Sequence, residues 1–136
     1  MIFRSEKMIY DGERYTDPAC VLDTEARTVT VIAPKTFESK TTEFHTDYIK
    51  DHLSYVAAHH PERLQRLVNE GRIIEYLDRT ETRASEAVDR QVEKWLKSDK
   101  EYQAALLAGD ELRAVRLKNG LQIMARESVY QTIINV

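Results

Sequence analysis

The sequence predicts an α+β fold: a small N-terminal antiparallel β-sheet or hairpin packed on a mostly antiparallel bundle of four or five helices. Three observations carry this. Thr28 to Ala33 is rich in β-branched residues, which suit a pleated, half-buried surface. Arg72 to Ser98 contains neither Gly nor Pro, and its apolar residues recur at three-, four- and seven-residue steps. Pro61, Gly71 and Gly109 stand where helices of bundle length must start or stop.

Residues 1–40 form the predicted β region. Ile2-Phe3 and Met8-Ile9-Tyr10 lead into Asp11-Gly12, a pair suited to a tight hairpin turn. Glu13-Arg14-Tyr15 follows, then a break at Asp17-Pro18. Ala19 to Asp23 pairs with Thr28 to Ala33 across a Thr24–Arg27 connection, giving a sheet of two to four strands. Pro34 to Thr42 is a polar connector without periodicity, which Phe37 pins down.

Residues 41–136 form the predicted helical bundle. A first helix begins near Thr41–Thr46, with Thr42 or Thr46 as its N-cap. Its inner residues are Phe44, Tyr48, Ile49, Leu53, Val56 and Ala57, and His59-His60-Pro61 ends it. Pro61 opens a short second helix that buries Leu64, Leu67 and Val68 and closes at Gly71. The long helix follows. Ile73, Leu77, Ala84, Val88, Gln91 and Trp95 form its apolar stripe, widened by Ile74, Val92 and Leu96. Ser98 or Asp99 caps a fourth helix that buries Tyr102, Ala105 and Leu106 and stops at Gly109-Asp110. A last helix runs from Glu111 to about Ile134 with Leu112, Val115, Leu117, Leu121, Met124, Val129 and Ile133 as its apolar surface. Gly120 interrupts it, which suggests a bend or a close helix contact.

The totals bound the function. The chain has 136 residues, so it makes one domain or one domain with a small appendage, and 42% hydrophobic residues supply a modest core. A net charge of −3 argues against a protein built mainly to neutralise phosphates. Cys20 is the only cysteine, which excludes an intrachain disulfide and a cysteine-rich zinc module. With no signal-peptide or membrane-spanning pattern, a soluble, cytoplasmic protein is expected.

Part of the helical region resembles a known family. Tyr48-Ile49-Lys50-Asp51-His52 is similar to the YLKEH segment of TnpV-type proteins, small proteins encoded in bacterial transposons and integrative elements. The stretch Leu67-Val68-Asn69-Glu70-Gly71-Arg72-Ile73-Ile74-Glu75-Tyr76-Leu77 resembles their LL.SGKL.EHL segment, and Thr80 to Ala84 sits where they carry ID..A. Arg116-Leu117-Lys118-Asn119 and Ala125-Arg126-Glu127 resemble their RMNN and AEE. The similarity runs from Tyr48 to Tyr130 and leaves out the β region. It implies a mobile-element origin and a non-enzymatic accessory role, and it brings no catalytic residues.

Read for chemistry, the residues offer little. His45, His52, His59 and His60 crowd one window, yet the first three stand seven apart. On a helix that spacing is about 10 Å, too far to share one ion. A pH-sensitive contact is the weaker alternative. Neither a metal nor a cofactor is expected. Glu75, Glu86 and Glu93 each precede a base by four residues (Arg79, Arg90 and Lys97), the order that favours helix ion pairs over catalytic carboxylates. Cys20 in its strand reads as core. The remaining feature is a cationic edge on the long helix: Arg72, Arg79, Arg83, Arg90, Lys94 and Lys97. An acidic row (Glu75, Asp78, Glu86, Asp89, Glu93) lies beside it and cancels most of its field beyond a Debye length.

These observations favour a non-enzymatic interaction protein of a mobile element that docks a helical face on a macromolecule. One form is an element-encoded inhibitor of a host nuclease, of the anti-CRISPR type; the alternative is a DNA-associated accessory of transposition. A protein partner is preferred to nucleic acid, and no membrane is involved. The C-terminal surplus of Leu121, Ile123, Tyr130, Ile133 and Ile134 leaves room for a homodimer.

Overall fold

The computed structural model describes residues 1–6, 19–33 and 38–136. The expected features at Met8–Tyr10, Asp11-Gly12, Glu13–Tyr15, Asp17-Pro18 and Phe37 lie outside the described residues. The architecture is α+β, and the described residues form a four-stranded antiparallel sheet and five α-helices. The chain divides into two compact units, one made of Met1–Glu81 with Ile134–Val136, the other of Thr82–Ile133.

The first unit holds the sheet, a meander in which β1 (Ile2–Arg4), β2 (Ala19–Asp23), β3 (Thr28–Ile32) and β4 (Ser39–Glu43) pair in that order. The β2–β3 hairpin sets Asp23 opposite Thr28 and Cys20 opposite Val31. Its loop is shaped by the Asp23 carboxylate, which accepts the backbone N–H groups of Glu25 (3.0 Å) and Ala26 (3.1 Å). Arg27 closes it in the left-handed region at φ 58.

Strand β4 corrects the sequence reading of Ser39–Thr42 as connector, and it places the helix start at the Thr46 end of the expected Thr41–Thr46 range. Ser-Lys-Thr-Thr-Glu carries no apolar alternation, because its side chains are almost all exposed. It is held as an edge strand by the β3 ladder and by a Thr30–Thr41 hydroxyl hydrogen bond of 3.0 Å. Phe44 is buried as expected, but from the β4–α1 connection rather than from a helix.

Helix α1 (Asp47–His59) starts at the Thr46 cap, whose hydroxyl accepts the Ile49 N–H at 3.4 Å. Helix α2 (Pro61–Asn69) opens on Pro61. It ends in a Schellman motif: Gly71 at φ +69 donates to the Val68 carbonyl and Arg72 to that of Leu67. α2 also covers the free edge of β1, since Gln65 donates to the Arg4 carbonyl at 2.6 Å and Asn69 accepts the Glu6 N–H at 2.9 Å. Phe3, Leu22, Val29, Ile49, Leu53, Val56, Leu64, Ile73 and Leu77 form the core of this unit.

Helix α3 (Ile73–Ser98) is continuous, as the periodicity requires, and runs from the first unit into the second. Its buried residues follow the predicted stripe, with Thr80 added. In the second unit, Asp99 caps α4 (Lys100–Leu107), accepting the Tyr102 N–H at 2.8 Å. Ser98 instead ends α3, its hydroxyl donating to the Trp95 carbonyl at 3.3 Å. A second Schellman motif at Gly109 (φ +70) turns the chain into α5 (Glu111–Val129), capped by Asp110. A π-helical turn, Tyr130–Ile134, continues it.

Helix α5 departs from expectation. Leu112, Val115 and Met124, predicted to face inward, are 63%, 54% and 55% exposed, and Leu106 of α4 is 50% exposed. The buried positions are Ala105, Ala114, Ala125 and Val129. Nothing lies within 4 Å of a Cβ placed on Gly120, so the close helix contact expected there is absent.

Candidate functional site

Five of the six cations of the long-helix edge project from α3 itself, and Arg72 immediately precedes it. All six are exposed. In the first unit, Arg79 bonds the Glu75 carboxylate at 2.6 Å, and Arg72 stands 3.4 Å from that of Glu70. In the second unit, Lys97 reaches Glu93 at 3.5 Å. The Glu86–Arg90 pair predicted from spacing does not form. Arg83, Arg90 and Lys94 have no ion-pair partner among the described residues.

These three recur at steps of seven and four, within about 40° of one line along the helix and about 16 Å from end to end. Glu86, Asp89 and Glu93 lie on the adjacent row. The result is a short cationic ridge backed by carboxylates, with Ala84, Val88 and Val92 buried on the far side.

The histidines do not converge. His45 stands 3.4 Å from Glu43 in the open, and His60, at the α1–α2 junction, lies 3.7 Å from Glu62. The His59 ring packs on Tyr55 at 4.4 Å. Among the described residues no three His, Cys, Asp or Glu side chains are grouped to hold a metal.

His52 has a use that its seven-residue spacing did not reveal. It is 2% exposed and spans two partners, with Nδ1 2.7 Å from the Ile134 carbonyl and Nε2 2.6 Å from the Tyr76 hydroxyl. A carbonyl only accepts, so Nδ1 carries the proton and Nε2 accepts the Tyr76 O–H. Burial holds the His52 pKa below its usual value. The Ile134 hydrogen bond opposes that shift, and the Arg63 charge adds to it. Arg63 also donates to the Val136 carbonyl at 2.7 Å. His52 is therefore a neutral clasp that ties the C-terminal residues to α1 and α3. No sequence signal announces it, because Ile134 is 82 residues away.

Cys20 is buried in β2, and burial pushes its thiol pKa up, so it is held as the neutral, unreactive form. Of the C-terminal apolar residues, Ile134 is fully buried and Ile123 is 61% exposed. Leu121, Tyr130 and Ile133 are half-buried. Among the described residues no helix is long and apolar enough to cross a membrane.

Sheet, clasp and charged helix together define a small α+β protein whose buried titratable groups serve the fold and whose ionic groups lie outside. The chain belongs to the family of the transposon-encoded protein TnpV, which matches it over residues 31–134. That span begins within β3, so β4 is part of the family segment, beyond the Tyr48–Tyr130 stretch recognisable by eye. No curated protein and no solved structure matches the chain.

Proposed function

We propose that the protein is a non-enzymatic accessory of its transposon that docks on an acidic protein surface through Arg83, Arg90 and Lys94. The observation that carries this reading is that these cations share one side of α3 and lack carboxylate partners, while Arg72, Arg79 and Lys97 have theirs. Exposed cations without partners are free to pair with carboxylates of another molecule, and such contacts set partner choice and association rate.

Two features favour protein over nucleic acid. The adjacent Glu86, Asp89 and Glu93 damp the field beyond about 10 Å at 0.1 M salt, so a polyanion is attracted only weakly from a distance. No aromatic side chain interleaves with the three cations to stack on bases. A nuclease inhibitor of the anti-CRISPR type that acts by occluding a basic channel would meet like charge at a cationic ridge. Charge thus supports that form of docking less than an acidic target.

The charge-reversed variant Arg83→Glu/Arg90→Glu/Lys94→Glu provides the test. Wild-type protein is expected to show no salt-sensitive anisotropy change with duplex or single-stranded DNA. It should retain one stoichiometric protein in affinity capture, and the variant should lose it. Salt-sensitive DNA binding that the variant loses would instead establish the DNA-accessory role.

A further inference from the structure

The groove between α4 and α5 has walls and ends suited to one occupant. It is lined by Tyr102 and Leu106 from α4 and by Glu111, Ala114, Val115 and Lys118 from α5, with a volume of ≈ 330 Å³. Ala114 is 5% exposed, whereas Leu106 and Val115, at 50% and 54%, leave much apolar surface in water. Glu111 and Lys118 mark the two ends, seven residues and about 10 Å apart on one helix. That distance keeps them from bonding each other, and neither has an ion-pair partner among the described residues.

We propose that this groove is a self-association surface, in which α5 packs antiparallel against α5 of a second copy of the chain. In a two-fold contact, whatever residue i meets in j, j must meet in i. An antiparallel pairing centred between Ala114 and Val115 places Glu111 opposite Lys118 of the second copy, and Lys118 opposite its Glu111. Each unpartnered charge then meets one opposite charge, giving two ion pairs per dimer. The same register sets Val115 over Ala114 of the other copy, a branched side chain above a small one, which lets the helices approach closely. Tyr102 and Leu106 flank the seam. A parallel pairing would put like charges together. Arg113 already faces Glu101 of its own chain at 4.0 Å, so it does not oppose the contact. A foreign partner would need a cation and an anion at matching spacing; a second copy has both by construction.

The surface is separate from the cationic ridge of α3, so each can fail without the other. Sedimentation equilibrium of the full chain from about 1 to 100 μM should show a monomer–dimer equilibrium. Glu111→Lys and Lys118→Glu each replace attraction by repulsion at both ends of the seam, and each should weaken the dimer by at least about tenfold. Mixing the two variants should restore it as a heterodimer, because every end again pairs opposite charges. Arg83→Glu/Arg90→Glu/Lys94→Glu should dimerise like wild type. A wild-type monomer throughout the range would overturn the proposal. So would either single variant dimerising normally, or a mixture that stays monomeric while circular dichroism shows both variants helical.

Discussion

In the unit formed by Met1–Glu81 and Ile134–Val136, Leu22, Ile49, Leu53, Leu64, Ile73 and Leu77 are all at 0–1% exposure. In the unit formed by Thr82–Ile133, the buried residues are Ala84, Ala105, Ala114 and Ala125 with Val88, Val92 and Val129, while Leu107, Leu112 and Ile123 are 90%, 63% and 61% exposed. The first unit fully buries large aliphatic side chains; the second fully buries only alanines and valines and leaves Trp95, Leu96, Leu117 and Leu121 half-buried. Burying a leucine stabilises by roughly 1.5–3 kcal/mol and one methyl group by about 0.8, so the second unit draws far less from its own interior. Its surplus apolar surface is what an association surface requires, and its amides should open at lower free energy than those of the first unit.

The comparison predicts its largest contrast between two leucines. Leu77→Ala empties a fully buried position and should cost about 3 kcal/mol in urea unfolding of dilute protein. Leu112→Ala, at a 63% exposed position, should stay within about 0.5 kcal/mol. Similar losses for the two would mean that the second unit buries Leu112 in solution, and the contrast would break.

His52 gives the next effect. His52→Ala leaves the Tyr76 hydroxyl and the Ile134 carbonyl without their partner and should cost about 2 kcal/mol. The sign of its pH dependence follows from burial. The folded-state pKa lies below the unfolded 6.5, so the unfolded chain takes up the proton first. The stability His52 contributes is complete above pH 6.5 and is lost as pH falls through that value toward the folded pKa. Denaturation followed from pH 7.5 downwards should show a decline that His52→Gln reduces. An unchanged slope would show that His52 takes up its proton at the same pH in the folded and unfolded chain.

Most of this architecture was legible because it rests on local signals. The α3 stripe, the Gly71 and Gly109 caps and the β2–β3 hairpin each follow from periodicity or from one residue's backbone freedom. What was hidden depends on partners distant in sequence or on side chains with no apolar signature. Strand β4 is polar throughout and exists because β3 offers it a ladder. Thr80 enters the buried stripe by donating its hydroxyl to the Tyr76 carbonyl at 2.9 Å, which satisfies it without apolar character. The inverted interior of the second unit was missed for another reason. Hydrophobicity weights leucine over alanine, although Ala114, Leu121, Ala125 and Val129 recur at equally good helical spacing. Among the cations, spacing identified the pairs of Arg79 and Lys97 but could not tell that Arg90 would stay without Glu86.

Two glycines in the second unit sharpen the comparison with effects of opposite sign. Gly109 sits at φ +70, where a Cβ is disfavoured whatever the space, so Gly109→Ala should destabilise by about 1 kcal/mol. Gly120 lies inside helical α5 with nothing within 4 Å of an added Cβ, so Gly120→Ala should stabilise by about 1 kcal/mol through helix propensity alone. Neither change touches a side-chain contact, which makes the pair a probe of how independently the second unit opens. If its helices open as a separate cooperative element, Gly120→Ala slows hydrogen exchange across α4 and α5 and leaves the β2–β3 amides unchanged. If the whole chain unfolds in one step, the same substitution slows exchange in the sheet by an equal factor. The contrast between the interiors would then be one of composition, with no consequence for local stability.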